Sequence, residues 1–242
     1  MNKRQNGLLV SATVISLVVA GLLAGAGCSN SNDATGPGGG GSGSPVDLGA
    51  AAGFGVLAGA SVTNSGATTI NADLGIWPGN TLTGAPTVTG TIHLGDVAAQ
   101  NAQGALTAAY NDAAGRAAGS TIAGDLGGLT LAPGVRKSTS TLAITSADVT
   151  LDGGGNANAV FIFQIASSFT VDVGRQVILA NGAQPSNIFW QVGSSATLNT
   201  NSNVSGSILA LTTISMGTGA VLDGRALARN GSVTLLANTI TP

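Results

Sequence analysis

The last third of the chain is one short unit written four times: FIFQIASSFTVDVG (161–174), IFWQVGSSATLNTN (188–201), SILALTTISMGTGAVLDG (207–224) and RALARNGSVTLLANTI (225–240). Each unit begins with an apolar strand. A strand that alternates apolar residues with Thr, Ser or Asn follows, and a turn rich in Gly or Asn ends the unit. Between equivalent apolar positions, Ile188 to Ile208 is 20 residues and Ile208 to Ala226 is 18. A period near 20 is typical of solenoids, in which each repeat buries its apolar side against the next. The pattern predicts a parallel β-solenoid.

One segment interrupts the strands. Residues 96–118 are rich in Ala and contain no β-branched run, and Asp96 suits a helix N-cap. We expect a single long helix here, with one apolar stripe formed by Val97, Ala98, Leu106, Ala109, Tyr110 and Ala113. The strands FIFQIA, IFWQV and SILAL are apolar on both sides, which indicates burial on both sides. The helix is therefore expected to cover that face of a discontinuous solenoid built from early and late coils.

The sequence before residue 46 predicts an export signal followed by a tether. Residues 1–27 combine a basic start with an apolar run and small residues before Cys28, the only cysteine. This resembles a bacterial lipoprotein signal, with Cys28 as the lipidation site; plain secretion is the alternative. Residues 28–45 are rich in Gly, Ser and Asn, which predicts a flexible linker. Residues 46–242 then form one domain.

Composition excludes several functional classes. Charged residues make up 7% of the chain, and the net charge is −2. A nucleic-acid-binding protein needs a basic stripe to meet phosphates, which this sequence lacks. Apolar residues make up 43% and recur periodically, unlike those of a disordered segment. The sequence therefore predicts a folded β-protein that does not bind nucleic acid.

Few residues could support catalysis. His93 is the only histidine, so neither a metal site nor a Ser-His-Asp triad has its usual partners, and we interpret His93 as a polar residue ahead of the helix. Trp190 lies in an apolar run and is expected in the core. A polysaccharide-active β-helix enzyme would have to use the aspartates at predicted coil corners, which are Asp148, Asp152, Asp172 and Asp223. They are scattered along the chain, and we expect neither enzymatic activity, nor a cofactor, nor a metal.

The outward residues of the alternating strands are mostly hydroxyls and amides. Because side chains alternate across a strand, taking Leu198, Ile214 and Val233 as inward turns their neighbours outward. The predicted contact set is Thr141, Thr145, Thr170, Thr197, Asn199, Thr213, Ser215, Ser232 and Thr234. Stacked strands repeat at about 4.8 Å, close to a repeat of the ice lattice. A rigid array of Thr hydroxyls and methyls at that spacing is suited to order water into an ice-like layer, although Thr is also simply a good strand former.

Several long stretches together resemble one family. NADLGIWPGNTLTG, TIHLGDVAAQNAQGALTAAYNDAAGR, IAGDLGGLTLAPGVRK and GSILALTTISMGTGAVLDGRALARNGSVTLLANTI are similar to sequences of the ice-binding (antifreeze) proteins of polar bacteria, diatoms and fungi. The resemblance covers essentially all of residues 46–241, in order. It implies a right-handed, discontinuous β-solenoid of triangular cross-section with one helix alongside. It also implies adsorption to ice through one flat face away from the helix.

The leading hypothesis is thus an exported ice-binding protein that inhibits ice growth and recrystallisation. We expect a monomer whose partner is the ice surface, and which touches a membrane only through a lipid anchor at Cys28. The alternative is a cell-surface adhesion or structural solenoid without ice activity.

Overall fold

The computed structural model describes residues 43–242. The predicted signal, Cys28 and most of the predicted linker lie outside the described residues. Short strands pair in parallel along the whole body, coil upon coil, with up to three strands to a coil. A complete coil adds one strand to each of three faces, so the predicted parallel β-solenoid is confirmed.

The first coils precede the helix. They begin after a 3₁₀ turn at Gly49–Gly53 and comprise seven strands: β1 Phe54–Ala58, β2 Ser61–Ser65, β3 Thr69–Ile70, β4 Asp73–Ile76, β5 Thr81–Thr83, β6 Thr87–Val88 and β7 Ile92–Leu94. The helix α1 then runs over Val97–Gly115.

The remaining coils follow the helix. They comprise β8 Ser120–Thr121, β9 Gly124–Asp125, β10 Thr130–Leu131, β11 Gly134–Ser138, β12 Leu142–Ile144, β13 Val149–Asp152, β14 Phe161–Ile165, β15 Phe169–Val171, β16 Val177–Ala180, β17 Ile188–Val192, β18 Ala196–Leu198, β19 Asn203–Ser205, β20 Ser207–Ala210, β21 Ile214–Met216, β22 Val221–Asp223, β23 Ala226–Ala228, β24 Val233–Leu236 and β25 Thr239–Thr241. A second 3₁₀ turn lies at Pro185–Asn187.

Three faces result from the stacking. The helix face is the nine-stranded sheet β7-β4-β1-β23-β20-β17-β14-β11-β8. The hydroxyl face is the eight-stranded sheet β5-β2-β24-β21-β18-β15-β12-β9. The third face consists of a five-stranded sheet, β19-β22-β25-β3-β6, and a three-stranded sheet, β10-β13-β16, joined by one isolated bridge between Gln176 and Asn203.

The helix begins and ends close to the predicted limits of 96–118. Asp96 is the N-cap, and its carboxylate accepts the backbone N–H of Ala99 at 2.9 Å, as expected. The helix ends at Gly115, earlier than predicted, because Arg116 adopts an extended backbone with ψ of 142°. Across residues 43–242, no helix is both long and apolar enough to cross a membrane.

The buried side of α1 differs from the predicted stripe at its first turn. The prediction was wrong for Val97 and Ala98, which are exposed. Ala102 lies four residues before Leu106, and Ala99 lies three residues before Ala102, so both share the side of the helix on which Leu106 lies. These two residues are buried instead. The predicted burial of Leu106, Ala109, Tyr110 and Ala113 is confirmed.

Strands apolar on both sides lie under the helix, as predicted. All five residues of β14 and of β17 are buried. Ile162 and Phe189 face α1 in one apolar cluster, while Phe163 and Trp190 face inward in another. The Gln164 amide lies between the strands and the helix, and it donates to the carbonyls of Ala113 and Arg116 at 2.8 and 2.7 Å. These bonds satisfy carbonyl groups that the end of the helix leaves free.

The interior is a stack of aromatic and aliphatic side chains along the solenoid axis. Trp190 is fully buried, as predicted, with its ring 4.1 Å from that of Phe163 and 4.5 Å from that of Phe169, measured between centroids. Its indole N–H donates to the carbonyl of Ser205 at 3.0 Å, which gives the one polar atom of the ring a partner. Sliding one coil past the next would break this ring stacking and the Trp190 hydrogen bond, so the core opposes such a shift.

The chain order of the coils is not their spatial order. The final coil, β23 to β25, lies between the preceding coil and the first coil, and pairs with β1, β2 and β3. The early and late coils thus form one continuous stack, as predicted for a discontinuous solenoid. We call the contact between the final coil and the first coil the junction.

A buried asparagine fixes the corner of the final coil. The Asn238 side chain donates to the carbonyls of Gly217 and Ala220 at 2.7 and 3.1 Å and accepts the N–H of Leu236 at 2.6 Å. Its backbone N–H donates to the hydroxyl of Thr68, in the first coil, at 3.1 Å. Asn238 therefore links three consecutive coils where the hydroxyl face turns into the third face.

Replacing Asn238 by Ala is expected to lower the free energy of unfolding by about 1–3 kcal/mol, because buried carbonyl groups lose their donor. Asn230→Ala is the matched control, since the Asn230 side chain is exposed. Urea denaturation of both variants measures the difference. Equal stability of the two variants would contradict the role assigned to Asn238.

Candidate functional site

The hydroxyl face carries one central row of outward side chains in strict register. Backbone pairing places one residue of each strand opposite the next, and the row reads Thr83, Thr63, Thr234, Ser215, Thr197, Thr170, Ala143, Asp125. The first six members are hydroxyl residues. The row begins in a coil before the helix, crosses the junction, and ends in the first coil after the helix.

A second row of hydroxyls lies two positions earlier on each strand. Its members, in the same order, are Thr81, Ser61, Ser232, Thr213, Ser195, Ser168 and Thr141. Hydrogen bonds join several of them between coils. The hydroxyls of Ser61 and Ser232 lie 2.8 Å apart across the junction, and Thr213 donates to Ser195 at 2.8 Å. The row is thus cross-linked by its own side chains.

The row on the other side of the centre is less regular. It contains Ser65, Leu236, Gly217, Asn199, Asp172 and Thr145. A side chain at Gly217 is excluded by the close stacking of coils, since its Cβ would lie 2.7 Å from the backbone N of Thr200. At this edge of the face, therefore, some coils present a side chain, whereas the coil of Gly217 presents only backbone.

All nine residues predicted from the sequence lie on this face. Four belong to the central row, three to the row of hydroxyls and two to the irregular row. Their contact with ice stays a prediction. Thr63 and Thr83 in the central row were not predicted from the sequence, nor were Ser61, Thr81, Ser168 and Ser195 beside it. The strands SVTNS and TLT do alternate around inward Val62 and Leu82, but the sequence does not show which of the late coils they stack against.

The inward side of these strands holds the face rigid. Val62, Val233, Ile214 and Leu198 are fully buried beneath the central row. Outward and inward residues alternate, so β18, β21 and β24 each place a partly exposed hydroxyl between two buried apolar residues. Because both neighbours of these outward residues are held in the core, the three hydroxyls have little freedom to leave the plane.

The face carries almost no charge. Its acidic groups are Asp172, beside the central row, and Asp125, at the far end of it. The Ser146 side chain and the backbone N–H groups of Gly127 and Thr145 hold the pKa of Asp125 far below its usual range. The carboxylate accepts those N–H groups at 2.9 and 2.8 Å. Asp125 therefore fixes a turn, and the central row from Thr170 to Thr83 is neutral.

The geometry suits a regular, uncharged partner. Parallel strands are spaced by about 4.8 Å and alternate residues along a strand by about 6.6 Å, so the rows form a two-dimensional grid. A Thr at each grid point offers a hydroxyl to hold water and a methyl to restrict its neighbours. From Thr170 to Thr83 the central row carries no carboxylate, amine or imidazole, and its regular hydroxyls suit adsorption.

The candidate catalytic residues do not come together. His93 Nδ1 lies 2.7 Å from Asp96 Oδ2 ahead of α1, as a local contact at the N-cap. Nowhere in residues 43–242 do three or more His, Cys, Asp or Glu gather as a metal site would need. A pocket of about 400 Å³ beside Thr121 and Lys137 is lined by none of the corner aspartates.

The corner aspartates are engaged locally instead. Asp148 accepts the N–H of Gln176 at 3.0 Å. The backbone N–H of Gly154 lowers the pKa of Asp152, and so does the Asn181 amide, which donates to this carboxylate at 2.9 Å. Burial raises the pKa of Asp223, which lies on the third face. These carboxylates therefore make their contacts at separate corners of the solenoid and do not form one cluster.

Comparison with known proteins agrees with the geometry. Residues 56–241 match the model of a family described as ice-binding-like. An ice-binding protein of Nostoc sp. (strain HG1) is 45% identical over 198 residues, covering 80% of this chain and 73% of the relative. One of Flavobacterium frigoris (strain PS1) is 38% identical over 216 residues, covering 81% of this chain and 76% of the relative.

Solved structures share the fold. The crystal structure of an ice-binding protein from an Antarctic biological consortium superimposes with a TM-score of 0.80 at 51% identity, covering 81% of this chain and 90% of the other. That of an ice-binding protein from the ascomycete Antarctomyces psychrotrophicus gives 0.77 at 38% identity, covering 81% and 98%. With the family model matching most of its length, this chain belongs to the ice-binding-like family.

Proposed function

We propose that this protein binds ice through the hydroxyl face and thereby inhibits ice growth and recrystallisation. The observation that carries the proposal is the central row, in which Thr83, Thr63, Thr234, Ser215, Thr197 and Thr170 stand in one register on adjacent strands. Membership of the ice-binding-like family supports it.

The mechanism is adsorption without a chemical step. Water held at the hydroxyls and confined by the methyl groups adopts positions set by the grid, and this layer joins the ice lattice. Each immobilised protein molecule blocks the advance of the ice beneath it, so the front bulges between bound molecules. A curved front melts at a lower temperature, and growth stops over a range of undercooling.

Rigidity is what makes the adsorption favourable. Ordering a flexible surface on binding costs about 0.5–1.5 kcal/mol for each side chain that loses its freedom. On the hydroxyl face much of that ordering is already complete, because the core fixes the backbone and interstrand bonds such as Ser61–Ser232 fix some side chains. Many weak contacts then add up to stable attachment.

The helix face is not available for this role. The outward residues of the helix face, such as Ile162, Phe189 and Leu209, are covered by α1 and the segment before β1. The exposed side of α1 is convex and lacks a repeating grid. We therefore assign ice contact to the hydroxyl face and propose no enzymatic activity, in keeping with relatives named as ice-binding proteins.

We further propose that the protein is exported and anchored by a lipid on Cys28, on the evidence of the sequence of residues 1–28. The predicted linker would hold the solenoid away from the membrane as a monomer. A tethered solenoid can keep a cell attached to ice, whereas a released one acts in the surrounding liquid.

Replacing Thr234 by Tyr is expected to reduce thermal hysteresis by well over half, because a ring standing above the central row lifts its neighbours off the ice. The free energy of unfolding should change by no more than about 0.5 kcal/mol, since the site is on the surface. Asn101→Tyr, on the exposed side of α1, is the matched control and should keep full activity. Full activity of Thr234→Tyr would move the contact to another face. Wild-type protein that neither shapes ice nor inhibits recrystallisation would favour the adhesion alternative.

Replacing Ala143 by Thr is expected to raise thermal hysteresis, because it extends the run of hydroxyls by one strand beyond Thr170. Ala143→Val is the control, since Val adds similar bulk and β-branching without the hydroxyl. Nanolitre osmometry of both variants at equal concentration separates the two effects. An equal rise in both would show that bulk, and not the hydroxyl, matters at this position.

Replacing Cys28 by Ser should move the protein from the membrane fraction to the soluble fraction of its bacterial host, because Ser cannot carry the thioether-linked lipid. Fractionation followed by immunoblotting measures the shift, and globomycin, which blocks processing of lipoprotein signals, should cause the precursor of the wild type to accumulate. Soluble wild-type protein would favour plain secretion.

A further inference from the structure

A second set of hydroxyls and amides lies on the third face, in the coils at the junction. Thr239, Thr69 and Thr87 stand opposite one another on β25, β3 and β6. Two positions along each strand, Thr241, Asn71 and Thr89 form a parallel row, aligned by bonds from Asn71 N to Ile240 O and from Thr89 N to Ile70 O, both 2.9 Å. We call these six residues the third-face patch.

The patch is built like the hydroxyl face. Ile240 and Ile70 are fully buried directly beneath it and fix its backbone. The Asn71 amide donates to the Thr241 hydroxyl at 3.0 Å, which cross-links neighbouring strands as Ser61 and Ser232 do on the hydroxyl face. Five of its six residues are exposed, and Thr69, at the centre, is partly exposed.

The regular array is confined to these coils. In the next coil of the same sheet, the positions in register are Val221 and Asp223, so both rows end there. In the three-stranded part of the third face, outward Thr150 is followed by Ile178, and Asp152 by Ala180. The third face as a whole is therefore not repetitive.

The patch adjoins the hydroxyl-rich end of the hydroxyl face. The same three coils supply Thr234, Thr63 and Thr83 to the central row. Buried Asn238 and Thr68 lie under the corner between the two faces, bonded at 3.1 Å, and hold the angle between them. Two grids of neutral hydroxyls thus meet at one rigid edge.

We propose that the third-face patch is a second ice-contacting surface, so that the junction end of the solenoid meets ice through either of two faces and binds more than one set of ice planes. This rests on the proposed function. The patch carries no charge, no aromatic residue and no large apolar side chain among its six members. Protein interfaces draw most of their binding energy from a few anchors such as Trp, Tyr and Arg, which the patch lacks. A regular array of water molecules needs only the spacing that the strands supply.

The experiment compares ice-plane affinity and thermal hysteresis of the purified full chain with three variants. Thr69→Tyr blocks the centre of the patch, Thr234→Tyr blocks the hydroxyl face, and the third variant carries both. Ile178→Tyr is the control, because Ile178 is an exposed residue on the part of the third face that lacks the array. Each protein carries a fluorescent label and is adsorbed to a single-crystal ice hemisphere, and thermal unfolding confirms that every variant folds.

The expected result is that Thr69→Tyr loses some of the labelled planes and part of the hysteresis, that Thr234→Tyr keeps those planes, and that the double variant binds none. Ile178→Tyr should match the wild type. If Thr69→Tyr shows the wild-type planes and hysteresis and the double variant behaves as Thr234→Tyr, the second surface is refuted while the proposed function stands. If the wild type labels no plane at all, the proposed function fails, and the second surface fails with it.

Discussion

The parallel backbone ladder at the junction is the constraint on which the rest of the structure depends. It joins strands far apart in sequence: the bonded hydroxyls of Ser61 and Ser232 are separated by 171 positions. Side chains alternate along a strand, so a slip of one residue in this ladder would turn buried Val62 outward and Thr63 inward. The fully buried core on both sides of the ladder makes that slip costly. One register therefore sets the core, the central row and the third-face patch together.

The difference between the faces follows from what lies outside each sheet. The helix face is covered by α1, so its strands bury both sides and read as continuous apolar runs. No element of residues 43–242 covers the hydroxyl face, so its strands alternate. On the covered side, buried polar side chains are hydrogen-bonded: Gln164 and Gln103 each donate to a backbone carbonyl at the helix interface. The open side leaves its hydroxyls free to meet a partner instead.

The hydroxyl face is graded along the axis. The central row is complete through the junction, then passes to Ala143, and ends at Asp125, whose carboxylate is occupied by backbone N–H groups. The grid is therefore most regular where the first and last coils meet, which is also where the third face carries its patch. Stability and the proposed binding surface depend on the same contact.

The sequence by itself determined the class of fold and the direction of most side chains. Periods of about 20 residues predicted the coils, and alternation around Leu198, Ile214 and Val233 was enough to turn Thr197, Ser215 and Thr234 outward, because burial of one side of a strand fixes the other. Local pattern also placed the helix. It did not give the buried side of the first turn, because Val97 is apolar enough for the predicted stripe but lies on the exposed side of the helix. Only the tertiary structure decided which coils are neighbours. Thr63 and Thr83 join the central row, and Thr69 and Thr239 share a patch, because the last coil pairs with the first. A periodic pattern states what each coil buries, but coils with the same pattern are interchangeable until a specific core, here with Asn238 at its corner, selects one order of stacking.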